Sequence, residues 1–375
     1  MQNKYSKKTL RSFLNLSKLS SALLLIAYVI SFSTQSYANV NAKTLALSAS
    51  ASSEDFSQKT LTLGGMPFGV KLNSNGVLIV GFNDITVSGK AVCPAKDAGL
   101  AEGDIIVRIG EHAANSSGIV THEIENSRGN SLTVKFLRDG KEMRAEITPR
   151  LSDSDGKYKA GFWIKDSAAG IGTVTYIDEE SGVFGGLGHG ICDSDTGELF
   201  PFLSGKIMDV RITGIKKSEI GSPGEIHGTF LPGERGTVIG NTSFGVFGKT
   251  DSLSAFGSNE KMEVGKMSEI STGKAYILCN AIKGETQKYE IEISKINRNA
   301  NDGKDFVIKV TDKDLIEICG GIVQGMSGSP ILQNGKIIGA VTHVLIGDPQ
   351  MGYGIYIGNM LNAQKAVTEN ANESM

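Results

Sequence analysis

Several residue types and motifs are rare or absent in this sequence, and their absence argues against particular classes of binding site. Of 375 residues only one is Trp and four are Cys, and no CxxC pair is present. Zinc sites need closely spaced cysteines or histidines, so we expect no bound metal. We interpret the four cysteines as isolated, buried thiols. Neither a GxGxxG nor a Walker motif occurs, so a nucleotide site around Gly185–Gly190 is a distant alternative, and no cofactor is expected. The cysteines are Cys93, Cys192, Cys279 and Cys319.

Basic residues are not in excess either. The chain has 38 Lys and Arg against 40 Asp and Glu, which gives a formal charge of −2. Residues 1–38 contain five of the basic residues and none of the acidic ones, so the rest of the chain has a formal charge of −7. Nucleic-acid-binding proteins present a basic surface, so we expect no nucleic acid partner.

Long apolar runs are confined to the first residues. The run Leu19–Phe32 follows a segment with basic but no acidic residues, which is typical of an export signal. Ser36-Tyr37-Ala38 suits cleavage before Asn39, and the run is short, so we favour cleavage while a retained signal anchor stays open. We therefore expect an exported protein in which residues 1–38 are a signal peptide or anchor and residues 39–58 a linker.

Before residues 358–370 no long segment shows the spacing of apolar residues that is typical of a helix. The chain has 47 Gly, and short apolar runs separated by glycine-containing turns extend from Leu61 to about Leu361. This pattern predicts a mainly β protein and disfavours a parallel sheet with crossover helices. The pattern changes near Lys159, so we expect one domain over residues 59–150 and a second over residues 155–365.

The first domain contains a specific local motif. Ala98-Gly99-Leu100 ends a short predicted helix, and Gly103-Asp104 leads into the apolar strand Ile105–Ile109. This arrangement resembles PDZ domains, which bind a peptide terminus as an added strand. The alternative is that the glycines only end a helix and shape a turn.

The PDZ resemblance implies a peptide-binding site. In PDZ domains a loop of the form x-Phe-Gly presents N–H groups to the terminal carboxylate of the peptide. A helix after Ser116, around Ile119–Glu125, should border the groove. The residues that match the loop are Phe68, Gly69 and Val70.

The second domain contains a serine between glycines, in Gly325-Met326-Ser327-Gly328-Ser329-Pro330. A nucleophilic serine needs an exposed side chain and nearby N–H groups for the oxyanion, and glycines allow both. The N–H groups of Gly325 and Ser327 are placed for that role. An Asn334-Gly335 turn predicts a tight hairpin that supports the loop. A plain turn before a hairpin is the alternative.

A base and an acid must be found for this serine. Of five histidines we choose His189, which lies between two glycines, with His343 as the fallback. For the carboxylate that orients the imidazole, Asp312 ends an apolar strand, but spacing alone does not decide among the candidates. The other aspartates considered are Asp193, Asp195 and Asp348, all in turns.

The order His189, Asp312, Ser327 is that of chymotrypsin-like peptidases, and the chain more specifically resembles the sporulation stage IV B serine peptidases of endospore-forming bacteria. The resemblance is carried by Lys165–Thr173, Gly188-His189, Thr311-Asp312 and above all Gly321–Pro330. It implies a chymotrypsin-like double β-barrel after the PDZ domain, with His189, Asp312 and Ser327 as the catalytic triad.

The same resemblance implies a regulatory role. Members of the family act between the mother cell and the forespore, so the substrates expected are a membrane-bound regulator of an intramembrane protease and the peptidase itself. The PDZ domain would recognise a peptide terminus. A non-catalytic PDZ-bearing scaffold protein is the second hypothesis.

Overall fold

The structure is a computed structural model that describes residues 55–250, 260–282 and 285–373. The predicted signal segment 1–38 lies outside the described residues, as does the predicted linker before residue 55. In the described ranges no helix is both long and apolar enough to cross a membrane.

Short strands dominate the first part of the chain, as predicted. In chain order the elements are β1 (Thr60–Leu63), β2 (Pro67–Phe82), β3 (Ile85–Val87), β4 (Lys90–Val92), α1 (Pro94–Asp97), β5 (Ile105–Ile109), β6 (His112–Ala113), α2 (Ser117–Asn126), β7 (Leu132–Arg138), β8 (Lys141–Ile147), β9 (Arg150–Leu151) and β10 (Tyr158–Lys159).

The second part is also mainly β. Its elements are β11 (Phe162–Asp178), β12 (Val183–Gly186), β13 (Ser204–Met208), β14 (Val210–Lys216), β15 (Glu225–Phe230), β16 (Gly236–Thr242), β17 (Gly245–Lys249), β18 (Lys261–Val264), β19 (Gly273–Ile282), β20 (Glu285–Ile296), β21 (Phe306–Val310), α3 (Lys313–Cys319), β22 (Pro330–Gln333), β23 (Lys336–Leu345), β24 (Asp348–Tyr356) and α4 (Ile357–Glu373).

The region from Val77 to Ile147 forms the domain predicted from the Gly-Asp motif. Strands β5, β7 and β8 pair antiparallel in that order, and β5 also pairs with the end of β2. Gly99 and Gly103 have φ of +84° and +88°, a conformation that favours glycine. The carboxylate of Asp104 is buried and forms a bidentate ion pair with Arg138, with both N–O distances at 2.7 Å. This ion pair fixes the turn into β5.

Twelve strands close two antiparallel barrels of six strands each, so the predicted double β-barrel is confirmed. The first barrel has the strand order β2, β11, β12, β17, β16, β13 and back to β2. The second has the order β19, β20, β21, β24, β23, β22 and back to β19. Helix α4 contacts strands of both barrels.

Each barrel has its own apolar core. Core residues of the first include Phe68, Val70, Leu72, Val174, Phe184, Ile207 and Val246. Core residues of the second include Ile277, Ile291, Ile308, Val323, Met326, Ile331 and Val341. Closure leaves no free sheet edge within either ring of strands.

The predicted carboxylate-binding loop at Phe68, Gly69 and Val70 is wrong. These residues lie in the first half of β2, where Gly69 and Val70 pair with β11 on one side and with β13 on the other. Phe68 is fully buried in the core of the first barrel. Because the backbone is used in two ladders, its N–H groups cannot face a ligand. The alternation Phe68, Val70, Leu72 is the period of a half-buried strand.

Candidate active site

The serine loop rests on the predicted hairpin. Strands β22 and β23 pair from Pro330 with Ala340 to Gln333 with Lys336. At the turn Asn334 and Gly335 have φ of +52° and +74°, as the tight Asn-Gly hairpin turn requires. The loop before β22 is therefore attached to a strand pair in the wall of the second barrel.

Two glycines allow the serine loop to approach the first barrel. Gly325 and Gly328 have φ of +99° and +95°. A Cβ on Gly328 would lie 2.0 Å from the carbonyl oxygen of Thr173 in β11 and 2.5 Å from the N atom of Leu187. No side chain fits at Gly328, so the serine loop and the loop that carries His189 lie directly against each other.

Ser327 and Ser329 differ in exposure. Ser327 is half-buried, and its Oγ donates a hydrogen bond to the carbonyl oxygen of Thr342 at 2.6 Å. Ser329 is fully buried, and its Oγ has no partner among the described residues. Only Ser327 is therefore accessible to a substrate.

The two N–H groups predicted to stabilise the oxyanion, those of Gly325 and Ser327, have no hydrogen-bond acceptor within the described residues. Gln324, the residue before Gly325, accepts a hydrogen bond from Ile226 N in β15 at 2.8 Å, so the planar peptide turns Gly325 N–H the opposite way. Within the described ranges neither Gly325 N–H nor Ser327 N–H donates to a protein acceptor. Two adjacent free donors beside an accessible serine can stabilise an oxyanion.

His189 follows a turn in which Leu187 and Gly188 have φ of +66° and +69°. Its Nδ1 lies 2.8 Å from the carbonyl oxygen of Gly190. A carbonyl only accepts hydrogen bonds, so the proton is on Nδ1 and the lone pair is on Nε2. Burial lowers the pKa of His189 below its usual value, against the opposing effect of the Gly190 carbonyl. The ring is thus neutral at neutral pH, in the tautomer that a general base needs.

His343, the fallback base, lies beside His189. The two ring centroids are 4.7 Å apart and the rings are tilted by 34°. Although His343 is an exposed residue, partial desolvation, followed by repulsion from the positive charges of Lys304 and of protonated His189, lowers its pKa to about 4. His343 is therefore a neutral neighbour of His189 and lies in β23 directly after Thr342, the acceptor of the serine hydroxyl.

The structure does not bring Asp312 to His189. Its carboxylate accepts hydrogen bonds from the N–H groups of Asp314 and Leu315 at 3.1 Å and of Glu290 at 3.3 Å. Asp312 is the N-cap of α3, the helix that precedes the serine loop. The expected hydrogen bond between carboxylate and imidazole is replaced by that from Nδ1 to Gly190, so the role of Asp312 as third catalytic residue stays a prediction.

The alternative aspartates also have other partners. Asp193 and Asp195 both pair with Lys165 of β11, Asp193 at 3.0 Å. Asp348 accepts a hydrogen bond from Gln350 N. In the part of the chain described here no group of three or more His, Cys, Asp or Glu side chains could hold a metal ion.

Sequence reasoning did not single out Thr173, which joins the two loops. Thr173 N donates to the carbonyl oxygen of Ser327 at 2.9 Å, and Thr173 Oγ1 donates to that of Gly325 at 2.8 Å. The carbonyl oxygen of Thr173 accepts from Leu187 N at 3.2 Å. The sequence signal that could have pointed to this residue is a threonine that follows two glycines in an otherwise apolar predicted strand.

Asn241, at the end of β16, was also missed. It is 3% exposed, and its side chain makes three hydrogen bonds to the backbone of the segment after His189. An Asn before a turn is common, so the sequence carried no signal of this role. The thiols were predicted more accurately: none of the four cysteines forms a disulfide, and Cys93, Cys279 and Cys319 are buried, but Cys192 is exposed.

Comparison with known proteins gives similarities of several kinds. A curated relative from Staphylococcus aureus (strain N315), named "Putative zinc metalloprotease SA1105", is 38% identical over 76 residues, which are 18% of each chain. The solved PDZ domain of the SdrC-like protein from Listeria monocytogenes is 23% identical, covering 25% of this chain and 90% of that one, with a TM-score of 0.21.

Two solved proteases are similar over a longer part of the chain. The HtrA-type protease AlgW, solved with a decapeptide, is 14% identical, covers 55% of this chain and 54% of its own, and has a TM-score of 0.33. The Rv3671c protease from M. tuberculosis is 12% identical, covers 53% and 74%, and has a TM-score of 0.31.

Family models identify both domains. The PDZ domain model matches residues 64–148, and the model described as SpoIVB peptidase S55 matches residues 156–361. The second match contains His189, Asp312 and Ser327 and covers more than half of the 375 residues. The chain belongs to the SpoIVB peptidase S55 family and has a PDZ domain N-terminal to the peptidase domain.

Proposed function

We propose that Ser327 is the nucleophile and His189 the general base of a regulatory serine endopeptidase. The observation that carries this proposal is the junction of the two loops at Gly328 and Leu187, with the free N–H groups of Gly325 and Ser327 beside it. The Oγ of Ser327 has to rotate away from the Thr342 carbonyl to meet His189.

The reaction is acyl transfer in two steps. His189 Nε2 takes the proton of Ser327 as Oγ bonds to the substrate carbonyl carbon, and the oxyanion is held by Gly325 N–H and Ser327 N–H. The C–N bond then breaks, and the leaving amine takes the proton from His189. Water, activated by the same imidazole, releases the acyl group. Asp312 remains the proposed third residue of the triad, which would orient the His189 imidazole after a rearrangement from its place as the N-cap of α3.

The setting of this activity is proposed from the family and from the sequence. The basic and apolar pattern of residues 1–38 supports export to the space between forespore and mother cell, with or without retention at a membrane. The family name supports action during spore formation. We infer that the substrates are a membrane-bound regulator of an intramembrane protease and the chain itself.

Peptide recognition by the PDZ domain is proposed at a different place from the loop first predicted. The carbonyl oxygens of Ala160 and Gly161 accept from Ala95 N at 2.9 Å and Asn83 N at 3.0 Å. The N–H groups of Gly161 and Phe162 in the same planar peptides therefore point outward. Ala160-Gly161-Phe162 thus offers outward donors for a terminal carboxylate.

A free strand edge and a helix complete this groove. In the described ranges β11 pairs from Phe162 to Lys165 with β2 alone. Helix α2 lies next to β11, because Ser117 N and Oγ donate to the Asp166 carboxylate at 2.8 and 3.0 Å. A peptide can add as a strand between them.

Replacement of Ser327 tests the enzymatic proposal. We expect Ser327→Ala to abolish cleavage of a candidate membrane regulator and of the chain itself, as well as labelling by a fluorophosphonate. Ser329→Ala is the matched control and should retain both. Cleavage that persists in Ser327→Ala would refute the nucleophile and favour the scaffold hypothesis.

The only Trp of the chain, Trp163, tests the peptide site. It is 63% exposed on the proposed strand edge. We expect a free-acid peptide to change its fluorescence saturably, and the same peptide with an amidated C-terminus to bind at least about tenfold more weakly. Equal binding of both peptides would refute carboxylate recognition at Gly161-Phe162.

A further inference from the structure

A buried amide, that of Asn241, binds the backbone at the peptide group that holds the His189 ring. Asn241 Oδ1 accepts a hydrogen bond from Ile191 N at 2.8 Å. Its Nδ2 donates to the carbonyl oxygens of Ile191 at 3.0 Å and Phe200 at 3.2 Å. Only this orientation of the amide matches donors with acceptors, so the side chain holds Ile191 as a neighbouring strand would.

The bond to Ile191 N reaches His189 through one peptide group. The N–H of Ile191 and the C=O of Gly190 belong to the same planar amide, and they point in opposite directions. Asn241 binds the N–H, while His189 Nδ1 donates to the C=O at 2.8 Å. An amide whose N–H donates is a better acceptor at its oxygen, so the two hydrogen bonds strengthen each other.

The Cα of Gly190 is closely packed against neighbouring residues. A Cβ on Gly190 would lie 2.2 Å from Leu199 Cδ1 and 2.7 Å from the carbonyl oxygen of Thr242, next to Asn241. Asn241 is the last residue but one of β16 in the wall of the first barrel. The amide thus connects a rigid strand to the backbone that holds the imidazole.

We propose that Asn241 is a positioning residue for catalysis, which holds the Gly190–Ile191 peptide so that Gly190 O fixes the tautomer and direction of the His189 ring. The proposal rests on the proposed function of His189 and Ser327. Asn241 does not touch the reacting atoms. Its effect is on the proton transfer from Ser327, so it acts on the rate of acylation and not on the affinity for a substrate.

The chain offers a close control in Gln333. This side chain is 5% exposed, accepts from Ser271 N at 3.0 Å and donates to the carbonyl oxygens of Ser271 at 2.9 Å and Lys274 at 3.2 Å. Its hydrogen-bonding pattern is that of Asn241, but its partners lie away from His189. Loss of either amide perturbs a buried backbone segment in the same way.

The test measures phosphonylation of Ser327 by a fluorophosphonate in the full-length chain, with the maximal rate and the half-saturating concentration determined separately. We expect Asn241→Ala to lower the maximal rate by about tenfold or more with the half-saturating concentration within about twofold. Gln333→Ala, at a similar loss in Tm, should keep the maximal rate. Asn241→Asp keeps an acceptor for Ile191 N and should recover part of the rate.

A maximal rate that falls no more in Asn241→Ala than in Gln333→Ala would overturn the proposal, and so would an Asp variant that folds but is as slow as the Ala variant. If Asn241→Asp does not fold, the comparison of the two Ala variants decides. Ser327→Ala, measured alongside, tests the proposed function by itself. Labelling that persists there refutes the nucleophile whatever the Asn241 variants do.

Discussion

Substitution of Thr173 by Val tests whether β11 holds the catalytic loops in place. Valine has nearly the same shape but lacks the hydroxyl that donates to Gly325 O at 2.8 Å. The position is 3% exposed, so the carbonyl of Gly325 loses a donor that water does not readily replace. An unsatisfied buried carbonyl costs about 1 to 3 kcal/mol. The backbone bonds of Thr173 to Ser327 and Leu187 remain, so the domain should still fold.

The larger effect is expected on the rate. Gly325 supplies one of the two oxyanion donors, and a displacement of about 1 Å in a catalytic group costs about 100-fold. We expect Thr173→Val to slow fluorophosphonate labelling of Ser327 by about 10- to 100-fold. Its Tm should fall by roughly 2 to 12 °C, since 1 kcal/mol shifts the Tm of a domain this size by about 2 to 4 °C.

Two variants separate this effect from general destabilisation. Thr173→Ser restores the hydroxyl and should recover most of the labelling rate. Thr62 lies in β1, and its buried hydroxyl donates a hydrogen bond to Glu179 at 2.7 Å. Thr62→Val removes this hydroxyl and should leave the labelling rate per folded molecule unchanged. Wild-type labelling by Thr173→Val, or a Thr173→Ser variant as slow as Thr173→Val, would refute the reasoning.

Three further predictions concern charge. Asp312→Ala should lose about 1 kcal/mol of stability in thermal unfolding, whereas Asp312→Asn keeps the cap and the Tm; a slow labelling rate in Asp312→Asn at unchanged Tm would show that catalysis needs the charge. Burial raises the pKa of Asp305 to about 6, so ionisation of this carboxyl lowers the stability of the folded protein as the pH rises from about 4 to 6. Asp305→Asn should therefore raise the Tm at pH 7 but not at pH 4. Equal changes in Tm at both pH values would contradict this. Because the pKa of His189 is lowered, the labelling rate should rise with pH to a plateau, with the midpoint of the rise below pH 6.5. A midpoint above pH 6.5 would contradict a buried base that is neutral at neutral pH.

The parts of the site that sequence predicts are those determined by local backbone chemistry. The Asn334-Gly335 hairpin, the turn at Gly99 and Gly103 and the glycines around Ser327 all have the positive φ values that their residue types imply. Such turns depend on a few neighbouring residues, so they can be recognised without knowing the rest of the fold.

The parts that it missed depend on strand register over long separations. Phe68 and Gly69 fit a PDZ loop locally, but their pairing with β11 and β13 places them in a barrel wall. Asp312 suits a triad by its order in the chain, which stays a prediction, and the N-cap role that the structure adds was not foreseen. Asn241 binds the backbone of Ile191, which is 50 residues away in the chain, and no local pattern marks that contact.

Strand β11 connects the proposed peptide site to the catalytic loops. Phe162 to Lys165 form the free edge, Asp166 binds the start of α2, and seven residues later Thr173 binds both the serine loop and the loop of His189. Lys165 also pairs with Asp193, which follows His189 closely in the chain. A displacement of this strand at one end therefore has a covalent route to the other. Any variant in β11 has to be assayed both by Trp163 fluorescence and by labelling of Ser327, because a change in either one alone does not locate the cause.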